Sequence, residues 1–165
     1  MANNITIRKA EKIDYKAINL LYHQTYSLYH KNLPEAYHPT PETVLLKGDF
    51  LNIIESKHCL MLVAETESKI VGVTFAEIED YEDSPVASDY HRVEIYELSV
   101  LPEYAKQGVG AKLIAGVEEW AKMQGIADLS VLVYNFNKDE IDFYGSNGYK
   151  PYSIKMEKKI GKQKE

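Results

Sequence analysis

Residues 98–114 read LSVLPEYAKQGVGAKLI. An apolar run is stopped by Pro102, a polar loop follows, and Gly108 and Gly110 lead into a segment with helical spacing. Ala111, Ile114, Val117 and Ala121 recur at three- and four-residue intervals, and Gly125 stands where that helix should end. The order is strand, loop, helix. Two residues without side chains at a helix start leave the first amide N–H groups unobstructed, and the helix dipole adds about half a positive charge there. A pyrophosphate is the natural guest. Two phosphate-binding patterns nevertheless miss: G-x-G-x-x-G requires glycine where Leu113 stands, and the nucleotide P-loop requires Gly-Lys-Ser/Thr where the chain has Gly110, Ala111 and Lys112. Read without a ligand, the glycines make a tight turn that lets a helix pack closely on a sheet.

Around this stretch lie 165 residues, 45% hydrophobic and 27% charged, enough for one domain with its own core. The formal charge of −6 disfavours nucleic acid as a partner. One cysteine, Cys59, excludes an intrachain disulfide, and its apolar surroundings read as strand packing. No leader-like apolar core opens the chain and no segment approaches the roughly 20 apolar residues of a membrane span. A cytoplasmic protein with no membrane partner is the expectation.

The N-terminal third reads as a strand in NITIRKA, an N-cap at Asp14, a helix over 15–30, a three-proline bend, and a second helical spacing over 42–56. From Cys59 the period becomes that of strands. Residues 59–66 and 69–80 form a candidate hairpin turning near Glu67 and Ser68, and 92–100 give a third strand. After the glycine-led helix come a strand at 129–135, a short helix at 138–148 and a final strand at 149–159. The lysine-rich end, 158–165, reads as a flexible tail.

The late segment VYNFNKDEIDFYGSNGYKP, residues 133–151, carries a second pattern. Together with Val100, Leu101, Pro102, Gly108 and Gly110 it resembles the GNAT superfamily of N-acetyltransferases. That family's acetyl-coenzyme A loop reads Arg/Gln-x-x-Gly-x-Gly/Ala after a Val-x-Pro step. Its later signature reads Val-x-x-x-Asn-x-x-Ala-Ile-x-Phe-Tyr-x-x-x-Gly-Phe, which Val133, Asn137, Ile141, Phe143, Tyr144 and Gly148 match. Ala105 departs from Arg/Gln, Glu140 from Ala, and Tyr149 replaces Phe.

The resemblance implies a single α+β domain over 1–165, with a mixed, largely antiparallel twisted sheet flanked by helices and central strands splayed at a cofactor slot. Residues 1–57 would form the variable acceptor side and 59–157 the acetyl-coenzyme A core. It implies transfer of an acetyl group from acetyl-coenzyme A, as cosubstrate and without metal, to a primary amine on a small molecule or peptide. The pyrophosphate would lie on Lys106, Gln107, Gly108, Val109, Gly110 and Ala111, and the pantetheine arm along Leu98, Ser99 and Val100. Asn137 would bond that arm, and Tyr144 would lie near the sulfur as general acid. A homodimer is a family expectation, and a non-catalytic acyl-coenzyme A sensor with the same fold is the alternative function.

Other residues stay open at this level. Asn137 is also placed to cap the short helix, and Tyr144 to pack its ring. Glu97 is the candidate base, with Glu94 as rival; regular alternation puts Glu97 on one face with Ser99, and Glu94 on the other with Tyr96 and Leu98. Tyr22, Tyr26 and Tyr29 form a helical stripe that suits core packing or an acceptor pocket. Glu77, Glu79, Asp80, Glu82 and Asp83 cluster at a strand end, as a solvated loop or a steering patch for a cation. The five histidines, His23, His30, His38, His58 and His91, have no metal-ligand spacing.

Overall fold

The computed structural model describes residues 4–67, 69–82 and 85–161. They form two compact units, residues 1–132 and 133–165. The first holds a five-stranded sheet in the order β1-β2-β3-β4-β5, with β1 Thr6–Lys9, β2 Cys59–Thr66, β3 Lys69–Tyr81, β4 Tyr90–Val100 and β5 Asp128–Val131. Neighbours are antiparallel except β4 and β5, which are parallel. A parallel pair needs a crossover, and helix α3, Val109–Met123, supplies it. Helices α1, Tyr15–Asn32, and α2, Lys47–Glu55, complete the unit.

One face of the sheet carries the main core. Ile18, Leu21 and Tyr22 of α1 and Phe50 of α2 pack with Met61, Val63 and Val73, all buried. The opposite face receives α3 through Val109, Leu113, Val117 and Ala121. There Gly72 permits a close approach: a methyl group on it would lie 3.1 Å from Leu113 and 3.3 Å from Val109. The first turn of α3 is thereby seated over the end of β4, since the Ser99 carbonyl is 3.2 Å from the same point.

Helix α2 begins at Lys47, five residues later than the apolar spacing suggests, because side chains of α1 take the hydrogen bonds of the preceding segment, which bends at Val44 and Leu45. Asn19 accepts the Val44 and Leu45 amides at 3.1 and 3.0 Å, and the Leu45 carbonyl accepts from Tyr15 Oη at 2.9 Å. Asp14 stands at the N-cap position of α1, but its side chain does not cap. A 3₁₀ turn over Lys12–Asp14 precedes the helix, and the carboxylate instead takes a forked pair from Arg8 at 2.7 and 2.9 Å and the Glu11 amide at 2.8 Å. Arg8 also reaches Glu65 at 2.7 Å, tying β1 to β2 and to the start of α1.

Burial pushes the Asp14 carboxyl up, but the bonds from Arg8 and Glu11 outweigh it and hold the group below its ordinary value. A carboxylate depressed in the folded state contributes stability that is present above its unfolded pKa of about 4 and is lost as pH falls through the folded value. Asp14→Asn is therefore expected to cost about 3 kcal/mol at pH 7 by leaving Arg8 half-paired, and to flatten the acid side of the stability curve; urea melts from pH 7 down to pH 3 measure both.

The second unit contains α4, Lys138–Ser146. The strand expected at 129–135 ends at Val131, where its pairing with β4 ends. The strand expected at 149–159 does not form: residues 151–160 carry no regular structure and are exposed throughout. Alternation makes a strand only where a ladder partner satisfies its backbone. The expected hairpin turn includes Ser68, the acidic cluster Asp83, and the tail 162–165; these lie outside the described residues.

Candidate active site

The loop before α3 is shaped at its backbone. A 3₁₀ turn over Pro102–Tyr104 closes with Ala105 N–H donating to the Pro102 carbonyl at 3.1 Å, and Gln107 folds back to the Glu103 carbonyl at 2.8 Å. Lys106 and Gly108 both take positive φ, 58° and 81°. Gly108 is the N-cap of α3, left-handed at ψ 4°, and its carbonyl accepts from Lys112 at 3.1 Å. The amides of Val109, Gly110 and Ala111 precede the first possible intrahelical acceptor and so point out of the helix end. Alternating handedness before a helix start makes a concavity of N–H groups suited to an anion.

Beside it, strand β4 leaves part of its edge without β5. The parallel pairing runs from Arg92↔Asp128 to Ile95↔Val131 and stops, while β4 continues to Val100. Leu101 N–H donates to the Val71 carbonyl at 2.9 Å, so by alternation Leu98 and Val100 direct their amides away from β3, toward that edge. Ser99 faces otherwise. Its backbone pairs with Val73, and its buried hydroxyl donates to the Leu21 carbonyl at 3.1 Å. Gln24 of α1 adds a bond to the Val100 carbonyl at 3.0 Å.

A β-bulge at Tyr96 reorganises the carboxylates. Phe75 pairs with Glu97 and Ala76 with Ile95, leaving Tyr96 as an extra residue on β4. Regular alternation separates Glu94 from Glu97, but the extra residue restores them to one face: Glu94 opposes Glu77, and Glu97 opposes Phe75, both on the side of α1. Tyr96 lies there too, stacked on Phe75 at 5.6 Å with its hydroxyl on Glu79. The Glu79 bond and burial push its phenol well up.

Glu97 is 5% exposed and accepts from Thr25 Oγ1 of α1 at 2.7 Å. Burial, with the Glu97 charge second, raises the neighbouring Tyr22 phenol far above its usual range. Glu94 is held by Ser130 and lies 3.7 Å from Arg92, which is itself 3.7 Å from Glu79. An open cleft of about 300 Å³ on the same face is lined by Asp49, Asn52, Ile53, Cys59, Phe75 and Glu77. Burial and Glu77 keep the Cys59 thiol above its ordinary value although Ser56 pulls it down, which favours the neutral thiol. Of the tyrosine stripe, Tyr22 joins the core, while Tyr26 and Tyr29 pile with Tyr37 at ring separations of 5.2 to 6.0 Å.

In the second unit, Asn137 occupies the N-cap position of α4 without capping it; its amide donates to Glu140 at 2.8 Å. Burial raises the Glu140 carboxyl, with the Asn137 bond opposing. Tyr144 is buried, its ring edge-on to both Phe143 and Tyr149 at 5.1 Å.

Residues 22–149 match the model of the acetyltransferase (GNAT) family. The chain belongs to that family. It is thus an N-acetyltransferase by class, with acetyl transfer as its general reaction. No curated protein sequence matches. Among solved structures, a variant of the BH1408 protein of Bacillus halodurans is 22% identical, with 94% of this chain and 99% of that one covered and a TM-score of 0.90. An aminoglycoside 6'-N-acetyltransferase of Acinetobacter baumannii is 19% identical over 96% of this chain and 100% of its own, at 0.68. An aminoglycoside N-acetyltransferase solved with coenzyme A is 17% identical over 98% of both chains, at 0.66. At these identities the likeness establishes the shared GNAT fold.

Spacing identified the glycine loop, β4 and the Asn137 and Tyr144 helix. It did not reveal Gln24 and Thr25 of α1, which reach Val100 and Glu97 across more than 70 residues of chain. Their polarity on an otherwise apolar helix face was the available signal. Among the described residues, no group of three or more His, Cys, Asp or Glu is placed to hold a metal ion, and no helix is long and apolar enough to cross a membrane.

Proposed function

We propose that this GNAT protein transfers the acetyl group of acetyl-coenzyme A to a primary amine by direct attack on the thioester. The observation that carries the reading is the left-handed Gly108 opening α3 beside the β4 edge where pairing with β5 has ended. The backbone of this corner fits a thioester carrier: outward amides from Gly108 to Ala111 suit a diphosphate, and the amides of Leu98 and Val100 suit an extended pantetheine arm. Lys106 and Gln107 complete the loop, with Lys106 and Lys112 as sources of positive charge. Ser99 then serves from behind, fixing β4 to α1.

Glu97 takes the proton of the incoming ammonium, directly or through water, so that a neutral nitrogen attacks the carbonyl carbon. The Val100 amide stabilises the oxyanion that forms. As the C–S bond breaks, the Tyr144 hydroxyl gives its proton to the sulfur. Asn137 orients the arm. The acceptor is a cationic small-molecule amine: Asp49, Glu77, Glu79, Glu94 and Glu97 outnumber Arg92 on the α1 face, and the aminoglycoside-modifying neighbours lend support. The engagement of Asn137 by Glu140 favours a second reading, an acyl-coenzyme A sensor that binds without turnover.

Thermal stabilisation by acetyl-coenzyme A, followed by thiol release over a library of amines, tests both. Stabilisation with thiol release supports the enzyme, stabilisation alone supports the sensor, and the absence of both overturns the proposed site.

Replacing Gly108 by valine tests the loop itself. A methyl group there meets nothing within 4 Å, so the substitution acts through the backbone, for which a left-handed β-branched residue costs about 1–2 kcal/mol. Acetyl-coenzyme A affinity is expected to fall about tenfold in calorimetric titration. Gly125→Val, at φ 76° beyond the other end of α3, is the control that loses stability and keeps affinity.

A further inference from the structure

Glu140 stands where the GNAT signature has alanine, and it changes what Asn137 does at the start of α4. Asparagine is among the strongest N-cap residues, because its side-chain oxygen accepts an amide N–H of the first helical turn. Asn137 occupies that position, yet its side chain makes no cap; its Nδ2 donates to Glu140 Oε2 at 2.8 Å. Chemistry fixes the direction of this bond. An ionised carboxylate only accepts, so the planar amide turns its NH2 group toward Glu140 and its oxygen away. Burial raises the Glu140 carboxyl, and the Asn137 bond pulls it back toward the ionised, acceptor-only form. Among the described residues, Asn137 Oδ1 takes no hydrogen bond.

We propose that Glu140 is a positioning residue for the cofactor: it holds Asn137 with its oxygen presented as an acceptor, which selects an amide N–H of the pantetheine arm. The inference rests on the reading that Asn137 meets that arm. An arm amide offers both an N–H and a carbonyl, so an asparagine at liberty to turn engages either. Glu140 removes the choice. It also keeps the oxygen from the amides of Asp139 and Glu140, the second and third residues of the helix, where a cap would spend it. With alanine at 140 that cap competes with the arm.

In the full chain, Glu140→Ala is expected to raise the acetyl-coenzyme A dissociation constant about fivefold in calorimetric titration, the worth of one hydrogen bond. The melting temperature is expected to stay within about 3 °C, which separates positioning from folding. A reciprocal pair tests the direction of the bond. Asn137→Asp sets carboxylate against carboxylate and is expected to weaken binding at least as much. Adding Glu140→Gln gives that carboxylate a donor, leaves its other oxygen as acceptor, and is expected to bring the constant back within about twofold of wild type. A double variant no tighter than Asn137→Asp alone overturns the proposal. So does an unchanged constant in Glu140→Ala when Asn137→Ala loses about fivefold or more. An unchanged constant in Asn137→Ala instead removes Asn137 from the arm, and this inference with it, while the glycine loop is judged separately by Gly108→Val.

Discussion

Tyr144→Phe is expected to lower turnover about 10²-fold while leaving the acetyl-coenzyme A dissociation constant within about threefold. The ring is buried edge-on between Phe143 and Tyr149, so phenylalanine keeps the packing and removes only the hydroxyl. A general acid that meets the leaving group in the transition state contributes about 10²- to 10⁴-fold to rate and little to ground-state binding. Steady-state kinetics with calorimetry separates the two quantities. An unchanged kcat, or parallel losses in kcat and affinity, removes Tyr144 from the acid role and leaves it a packing residue.

Glu97→Gln is the second large effect, about 10²-fold in kcat/KM for the amine. Glutamine can still accept the Thr25 hydroxyl, so the tie between α1 and β4 survives and melting should change little. An amide cannot take the ammonium proton, so the loss is expected in kcat/KM for the amine while acetyl-coenzyme A affinity stays unchanged. Thr25→Val serves as comparison: it removes the bond that positions the carboxylate and is expected to lower the rate by about tenfold. A kcat/KM for Glu97→Gln within twofold of wild type assigns the carboxylate a structural role.

Local pattern was a reliable guide where the chain's own chemistry decides. The helix expected after the two glycines starts at Val109, directly after Gly108, and the short helix of the second motif forms as α4, with Asn137 at its N-cap position and Tyr144 within it. Pattern failed where a partner elsewhere decides. Alternation along β4 placed Glu94 and Glu97 on opposite faces, yet one inserted residue, Tyr96, brings them together, and only the register against β3 reveals an insertion. Asp14 was read as a cap, but Arg8 claims its carboxylate. The apolar spacing before Lys47 suggests helix, but Asn19 accepts the Val44 and Leu45 amides and the segment bends there.

By itself, then, the sequence determined the type of most elements, the GNAT family and the glycine-led start of α3, because helix starts, turns and apolar periods are written over a few consecutive residues. The tertiary structure alone decided which carboxylates share the α1 face of the sheet, which β4 amides reach the edge and which bonds fix Ser99 and Glu97 to α1. Those features depend on registers and hydrogen bonds between residues distant along the chain, and no local period encodes them.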